Sequence, residues 1–176
     1  HDALPICQSF QVAGATVSLN LPAGPYLRVE GGTGGAPVSL AVLGQTLSGA
    51  FVFEQAANAA GESVVKVALS QVNISLVGGT LAVHNGQGLF ILRPSGLAGT
   101  LTASVTLDAA TGVSLSGTFG VSVNSTSQAV AQSIQVGSTT VSVNLPAGPY
   151  VRVSGSGVRL TVAGQSLSGN FAFEQI

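Results

Sequence analysis

Apolar and polar residues alternate along most of the chain. The stretch 101–107 alternates without a break, and 113–115, 121–123 and 140–145 follow the same rule. Successive side chains of a strand point to opposite faces, so the pattern predicts β-strands with an apolar inner face and a Ser/Thr-rich outer face. Val, Ile, Thr and Phe favour such half-buried strands.

Glycine and proline separate the alternating segments. Pro94-Ser95-Gly96 and Thr111-Gly112 are typical of tight turns, and Asn85-Gly86 predicts a primed hairpin turn. Short, evenly spaced strands joined by tight turns favour antiparallel meanders over parallel crossover units. The sequence therefore predicts an all-β fold, in which antiparallel meanders form an elongated β-sandwich or a coiled, solenoid-like sheet.

Two parts of the chain repeat. Residues 9–30 and 133–154 align without a gap at an offset of 124, with 15 of 22 positions identical, and 40–55 and 160–175 agree at 11 of 16. Self-similarity of this kind indicates a repeat architecture. We predict an N-terminal extension (1–8), a full β repeat unit (9–132), and a partial second unit (133–176) that packs on or continues the first.

A five-residue motif, Leu-Ser-Gly-x-Phe, recurs within the alternating segments. Its glycines are Gly49, Gly117 and Gly169, and each lies in the middle of a predicted strand. A glycine there usually marks a bend, a bulge or the close approach of another backbone. We therefore expect a sheet that bends at regular positions.

Charge is scarce in this chain. Five Lys+Arg and six Asp+Glu make up 6% of the 176 residues and give a formal net charge of -1, whereas about 25% is usual for globular domains. So few cations exclude a nucleic-acid partner, and the high apolar content excludes a disordered chain. Because charge normally keeps monomers apart, its scarcity indicates a surface that other copies, or the rest of a repeat array, contact.

Three motifs carry a resemblance to a known class of protein. They are Asn-Leu-Pro-Ala-Gly-Pro-Tyr (20–26 and 144–150), Gly-Gln-x-Leu-Ser-Gly-x-Phe (44–51 and 164–171) and Phe-Glu-Gln (53–55 and 173–175). Together they resemble the tandem β-rich repeats of very long bacterial secreted or cell-surface proteins. The resemblance covers nearly the whole chain. It implies an extracellular or cell-surface location and repetition, and it transfers no active site.

Four charged residues occupy recurring positions. Arg28 matches Arg152, and Glu54 matches Glu174. In a chain this poor in charge they are expected either to form structural ion pairs or to remain solvated side chains. Cys7 is the only cysteine, so an intrachain disulfide is excluded, while a thiol link between two chains stays open.

Histidine provides the only candidates for a metal site. An N-terminal His1 together with His84 could hold copper in a histidine brace, because imidazole and a free amine suit that ion. Two ligands make a weak motif, and His84 adjoins the predicted Asn85-Gly86 turn. No hydrolytic motif surrounds any serine, and Glu54 and Glu174 are equivalent positions rather than an acid–base pair. We therefore expect no enzyme activity, no metal and no cofactor.

Aromatic residues and sequons favour structural roles. Phe51 and Phe53 lie two apart on one strand face, as do Phe171 and Phe173, so they are expected to fill a core. Sequons begin at Asn73 and Asn124, but such triplets are frequent by chance in a Ser/Thr-rich chain.

Three functions remain open from the sequence. The first is a structural extracellular repeat protein, a subunit or segment of a surface fibre, sheath or adhesin stalk, whose partners are other copies joined head-to-tail through strand edges. The second is a secreted domain that binds a surface glycan or ice. The third is the copper-brace enzyme at His1 and His84. We expect neither a nucleic-acid partner nor a membrane span.

Overall fold

The fold is all-β and antiparallel, as the alternation predicts. A computed structural model describes residues 4–13, 15–21, 24–42, 45–58, 60–76, 79–109 and 112–175. Within these ranges, no helix has the length and apolarity needed to cross a membrane. The strands are β1 (Ile6–Val12), β2 (Ala15–Leu21), β3 (Tyr26–Gly31), β4 (Val38–Val42), β5 (Gln45–Ala57), β6 (Ser63–Leu76), β7 (Leu81–Arg93), β8 (Gly96–Ala109), β9 (Val113–Asn124), β10 (Val130–Val136), β11 (Thr139–Leu145), β12 (Tyr150–Val162) and β13 (Gln165–Gln175).

Nine strands form one broad sheet. Its order is β13-β12-β9-β8-β7-β6-β5-β3, and β4 pairs with β5 beside β3. Every pairing is antiparallel. β3 and β4 therefore pair with β5 side by side, as the single long strand β12 pairs with β13 in the second copy, but β12 is also paired with β9. The other four strands form two separate hairpins, β1–β2 and β10–β11.

The core lies between the sheet and one hairpin. β10 packs on β5 and β6, and β11 packs across β6 to β9. Val52, Leu89 and Ile91 of the sheet are buried there against Val130 and Val141 of the hairpin. We call the face of β5–β9 that β10–β11 covers the platform. Both faces of β5 to β7 carry apolar residues, although β10–β11 covers only one of these faces.

Bulges bend the long strands near their middles. The register shifts between Ser48 and Ala50 of β5, and between Gly155 and Val158 of β12. Gly49 is needed at the first bend, because a Cβ there would meet Val72 at 2.9 Å. This agrees with the sequence-based expectation that glycines of the recurring motif mark bends.

The expected hairpin turn at Asn85-Gly86 is wrong. Both residues lie inside β7, where the register shifts between His84 and Gln87. Asn85 has a φ of 53°, the left-handed conformation that asparagine and glycine tolerate best. The local preference of the dipeptide is satisfied by a bulge instead of a chain reversal, because tertiary pairing continues the strand on both sides.

Candidate functional site

The two hairpins are equivalent in backbone pairing. Val17 lies opposite Phe10 in β1–β2, and Val141 lies opposite Ile134 in β10–β11, each shifted by 124 residues. A cross-strand hydrogen bond repeats on the outer side, where the glutamine side-chain amide donates to threonine: Gln11 to Thr16 at 2.8 Å, and Gln135 to Thr140 at 2.7 Å. The two hairpins therefore present the same kind of inner face.

Only one of these inner faces is buried. Val141 is 1% exposed on the platform, whereas Val17 is 52% exposed. The other apolar side chains that the structure describes on the β1–β2 inner face are also exposed. They are Ile6, Phe10, Leu19 and Leu21. Exposed apolar side chains grouped on one face mark an interaction surface when they are contiguous.

A cluster of charged side chains on β3, β5 and β6 binds the tip of β10–β11. Arg28 Nη2 donates to the backbone carbonyl of Gln135 at 2.8 Å, and the backbone N–H of Gly137 donates to Glu30 Oε1 at 3.1 Å. Arg28 also donates to Glu54 at 3.1 Å, and Lys66 donates to the same carboxylate at 3.3 Å. Two cations and two anions balance, so the cluster orients the hairpin tip without attracting a charged ligand.

Hydrogen bonding tunes the ionisation of this cluster. The Arg28 guanidinium and the backbone N–H of Gly137 lower the pKa of Glu30 below its usual value. Burial, and then the charge of Glu54, raise the pKa of Tyr26. Burial opposes the charge of Arg28, yet its hydrogen bonds to Glu30 and Glu54 raise its pKa overall. The ionised forms of Arg28 and Glu30 are therefore the ones that the folded chain binds best.

The second arginine–glutamate pair also forms, in a barer setting. Arg152 donates to Glu174 at 2.9 Å, with side chains that are 46% and 38% exposed. The structure thus brings together Arg28 with Glu54 and Arg152 with Glu174, the four recurring charged positions. Ser154 replaces Glu30 here, and no described hairpin tip contacts Arg152. The Arg152–Glu174 pair therefore repeats the Arg28–Glu54 pair but orients no described hairpin.

Asn124 anchors the base of β10–β11. Its side chain is fully buried, and its amide donates to the carbonyls of Gln128 at 2.8 Å and Pro146 at 2.6 Å. Its Oδ1 accepts from the backbone N–H and the hydroxyl of Thr126 at 2.9 and 2.7 Å. All hydrogen-bonding groups of the side chain are therefore used within the fold. A glycan cannot reach this sequon in the folded chain.

The face of the sheet opposite the platform is apolar and uncovered in the described structure. We call it the open face. Val29, Phe53, Val67 and Phe90 form one row across β3 to β7, and Leu101, Val121, Val153 and Phe173 form another across β8 to β13. Phe173 is 69% exposed. Phe51 and Phe171 are exposed as well. The expectation that the paired phenylalanines fill a core is therefore wrong for these three residues, because no described element covers this face.

No described charged side chain projects from the open face. Strand alternation and pairing register put them all on the opposite side. The charged residues within the described strands are Arg28, Glu30, Glu54, Lys66, Arg93, Asp108, Arg152, Arg159 and Glu174. The few charges of this chain thus leave one whole face of the sheet free for apolar contact.

Two hollows of similar size lie on the open face, at the bends. One has a volume of about 430 Å³ and includes Leu47, Gly49 and Phe51 in its lining. The other, about 420 Å³, includes the matching Leu167, Gly169 and Phe171. Their linings are almost entirely apolar, so neither offers the convergent polar groups of a catalytic pocket.

Of the remaining sequence candidates, the structure describes His84 and Cys7. His84 is exposed on β7, on the face opposite Val83, and His1 lies outside the described residues. The exposed Cys7 thiol donates to Asn20 Oδ1 at 2.9 Å across β1–β2. Among the described residues, no three His, Cys, Asp or Glu side chains come together as metal ligands.

Threonine and serine line a polar cleft between the sheet and β11. It has a volume of about 310 Å³ and is lined by Gln87, Gly88, Thr100, Thr102, Val141 and Ser142. Hydroxyl groups of this kind could meet a glycan. The lining contains no aromatic ring on which a sugar could stack, so the cleft adds little to the glycan hypothesis.

Sequence reasoning missed Glu30, Lys66 and Asn124. Ser154 replaces Glu30 in the second copy, as expected of a solvated position, yet Glu30 accepts a hydrogen bond from the backbone N–H of Gly137 at the hairpin tip. The sequence signal was the difference between the two copies at this position, because only the first copy contributes a strand to the platform that a hairpin covers. Lys66 and Asn124 have no counterpart within the repeated segments, and the sequence marks Asn124 only as the start of a sequon.

Comparison of the chain with protein-family profiles, with curated proteins and with solved structures gives no match.

Proposed function

We propose that this chain is a structural module of an extracellular or cell-surface fibre, sheath or adhesin stalk, and that it assembles with other copies through its sheet. The observation that carries the proposal is the pair of unpaired sheet edges. β13 is exposed along its length, and no described strand pairs with its outer side or with the outer side of β3 and β4.

The directions of these edges favour head-to-tail growth. The sheet has eight strand positions from β13 to β3, so seven antiparallel pairings lead from one edge to the other. β3 and β13 therefore run in opposite directions, so β3 of a translated copy meets β13 in antiparallel orientation. A contact between two different surfaces does not close on itself, and it extends into a filament. An exposed edge strand is a template for such pairing.

The distribution of charge supports the same proposal. Natural edge strands are usually protected by charged side chains or proline. β13 carries a single charged residue, Glu174, which is paired with Arg152. Leu167 and Phe173 on the same strand are 72% and 69% exposed. The edge therefore lacks the features that keep monomeric sheet proteins apart.

Light scattering coupled to size-exclusion chromatography, with negative-stain electron microscopy, tests the proposal on the full chain. We expect a mass that rises with protein concentration and elongated particles. A variant with Leu167→Lys and Phe173→Lys on β13 should remain smaller at every concentration, because it replaces two exposed apolar side chains of the edge with ammonium groups that lose hydration when another strand covers them.

A matched variant separates the effect of lysine at the edge from the effect of net charge. Ser127→Lys with Ala60→Lys adds the same two charges at exposed loop positions, and it should assemble like the unaltered chain. A strictly monomeric chain up to millimolar concentration, or equal loss of assembly in both variants, would contradict edge-directed assembly.

A further inference from the structure

We propose that β1–β2 is a docking element that binds the platform of a second copy of this chain, in place of that copy's β10–β11. The inference rests on the proposed function and names the contact through which copies recognise each other. Its basis is the internal comparison of the two hairpins. One structure contains the same hairpin twice, once with its apolar face on a platform and once with that face exposed.

The inner faces are chemically interchangeable. Ile6, Phe10, Val17, Leu19 and Leu21 of β1–β2 take the positions of Val130, Ile134, Val141, Val143 and Leu145 of β10–β11. The latter five are all buried. Each pair conserves apolar character. Packing on the platform depends on the apolar character and the volume of the hairpin side chains. The platform can therefore accept either hairpin with modest repacking.

The hairpin tips also match. Ala13 and Gly137 occupy the same turn position and share the left-handed conformation, with φ of 50° and 59°. In the buried hairpin the contacts of the tip with Arg28 and Glu30 use backbone groups, namely the carbonyl of Gln135 and the N–H of Gly137. Backbone groups do not depend on side-chain identity, so Gln11 and Ala13 can supply the same carbonyl and N–H.

The covered side of the described sheet is wide enough for one hairpin of this length. A seven-residue strand spans about 23 Å, and five strands spaced about 4.8 Å apart make a platform of nearly that width. Beyond the base of β10–β11 only β12 and β13 remain, about 10 Å of sheet. The β5–β9 face of another copy has the width and the apolar character that β1–β2 needs, and there β1–β2 competes with the resident hairpin.

Covalent connection favours the resident hairpin in a dilute solution. β10–β11 is joined to β9 and β12 on either side, which gives it an effective concentration in the millimolar range. Exchange is therefore expected at high protein concentration, or when the resident hairpin is weakened. Exchange of an equivalent element between copies is a low-cost route to oligomers.

Cross-linking between two copies that carry cysteine at different positions tests the exchange. Both carry Cys7→Ser. The first copy carries Ala13→Cys at the tip of β1–β2, and the second carries Thr33→Cys, because a Cβ built on Gly137 lies 3.2 Å from Thr33 Cβ. A short bismaleimide then joins only tips that reach Thr33. A second copy with Ser127→Cys, an exposed loop position, measures random collision.

The resident hairpin and the docking face are varied in turn. With Val141→Asn in the second copy, we expect at least ten times more heterodimer through Thr33→Cys than through Ser127→Cys. Val17→Asn in the first copy should return the yield to the collision level, whereas Ser18→Asn on the outer face of the same strand should not. Val141→Ala is run in parallel, since it weakens the hairpin without placing an amide in the core.

The results separate this inference from the proposed function. Equal yields at Thr33 and Ser127 with both Val141 variants, or a Thr33 yield that Val17→Asn leaves unchanged, would overturn hairpin docking. Edge-directed assembly is judged separately, by the mass and shape of the unaltered chain and of the β13 lysine variant. If filaments require the β13 edge but form equally well with Val17→Asn, the proposed function would stand and hairpin docking would be excluded.

Discussion

Val17 and Val141 occupy the same position in two hairpins of identical register, yet Val17 is 52% exposed and Val141 is 1% exposed. The difference does not come from the residues or their local pairing. It comes from the platform that lies beneath Val141. This pair therefore gives a direct measure of what the platform contributes to stability.

Shortening each valine should have unequal effects. Val141→Ala removes two buried methyl groups and is expected to lower the free energy of unfolding by about 2 kcal/mol. Val17→Ala, on an exposed surface, should change it by less than about 0.5 kcal/mol at low protein concentration. Urea unfolding followed by circular dichroism measures both. Equal destabilisation would mean that β1–β2 is already covered in solution.

Removing Arg28 should cost more than removing Arg152. Arg28 binds Glu30, Glu54 and the Gln135 carbonyl, whereas Arg152 binds Glu174 alone and is 46% exposed. We expect Arg28→Ala to destabilise the chain by about 1–2 kcal/mol and Arg152→Ala by less than about 0.5 kcal/mol. Thermal unfolding of the two variants under identical salt compares them. A larger effect at Arg152 would reverse the assigned roles.

Acid should loosen the hairpin tip through Glu30. The folded chain lowers the pKa of this carboxyl below its ordinary value of 4.5. Its contribution is therefore complete above that value and is lost as the pH falls through the lowered folded pKa. Unfolding measured from pH 7 to pH 2 should show this loss. Glu30→Gln should be less stable at pH 7, and its difference from the parent should shrink in acid. A constant difference would exclude this linkage.

Asn124 should be sensitive even to a near-isosteric change. Asn124→Asp replaces the amide that donates to the carbonyls of Gln128 and Pro146 with an acceptor. We expect a loss of about 2–3 kcal/mol, because buried carbonyls are left without donors and a buried carboxyl replaces an amide. Chemical denaturation provides the value. Ser127→Ala in the neighbouring loop is the control, and a similar loss there would point to loop disruption instead.

The open face should bind apolar dyes. ANS fluorescence is expected to rise with the unaltered chain, because the face joins exposed Leu101, Val121 and Phe173 without a charge. Leu101→Lys should reduce the signal several-fold by placing an ammonium group in the row. Thr106→Lys lies on the same strand but on the opposite face, so it should leave the signal unchanged. An equal response in the two variants would place the dye elsewhere.

Much of the architecture follows from local pattern. Alternation from Leu101 to Leu107 correctly predicts β8, and the 124-residue offset relates β1–β2 to β10–β11 in register. Asn85-Gly86 was misjudged because its preference for left-handed backbone fits a bulge as well as a turn. Only pairing with β6 and β8 decides between them, and that pairing is not encoded in the dipeptide.

The sequence by itself determined that this chain forms β-strands, because side-chain alternation is a property of the strand alone. It also determined that Arg28 and Glu54 recur as Arg152 and Glu174. Only the tertiary structure decided which apolar faces are buried. One hairpin can cover one side of β5–β9, so its core forms there, and the equivalent hairpin and the open face stay exposed. Burial depends on what lies opposite a strand, and a repeated sequence does not have the same partner at both of its positions.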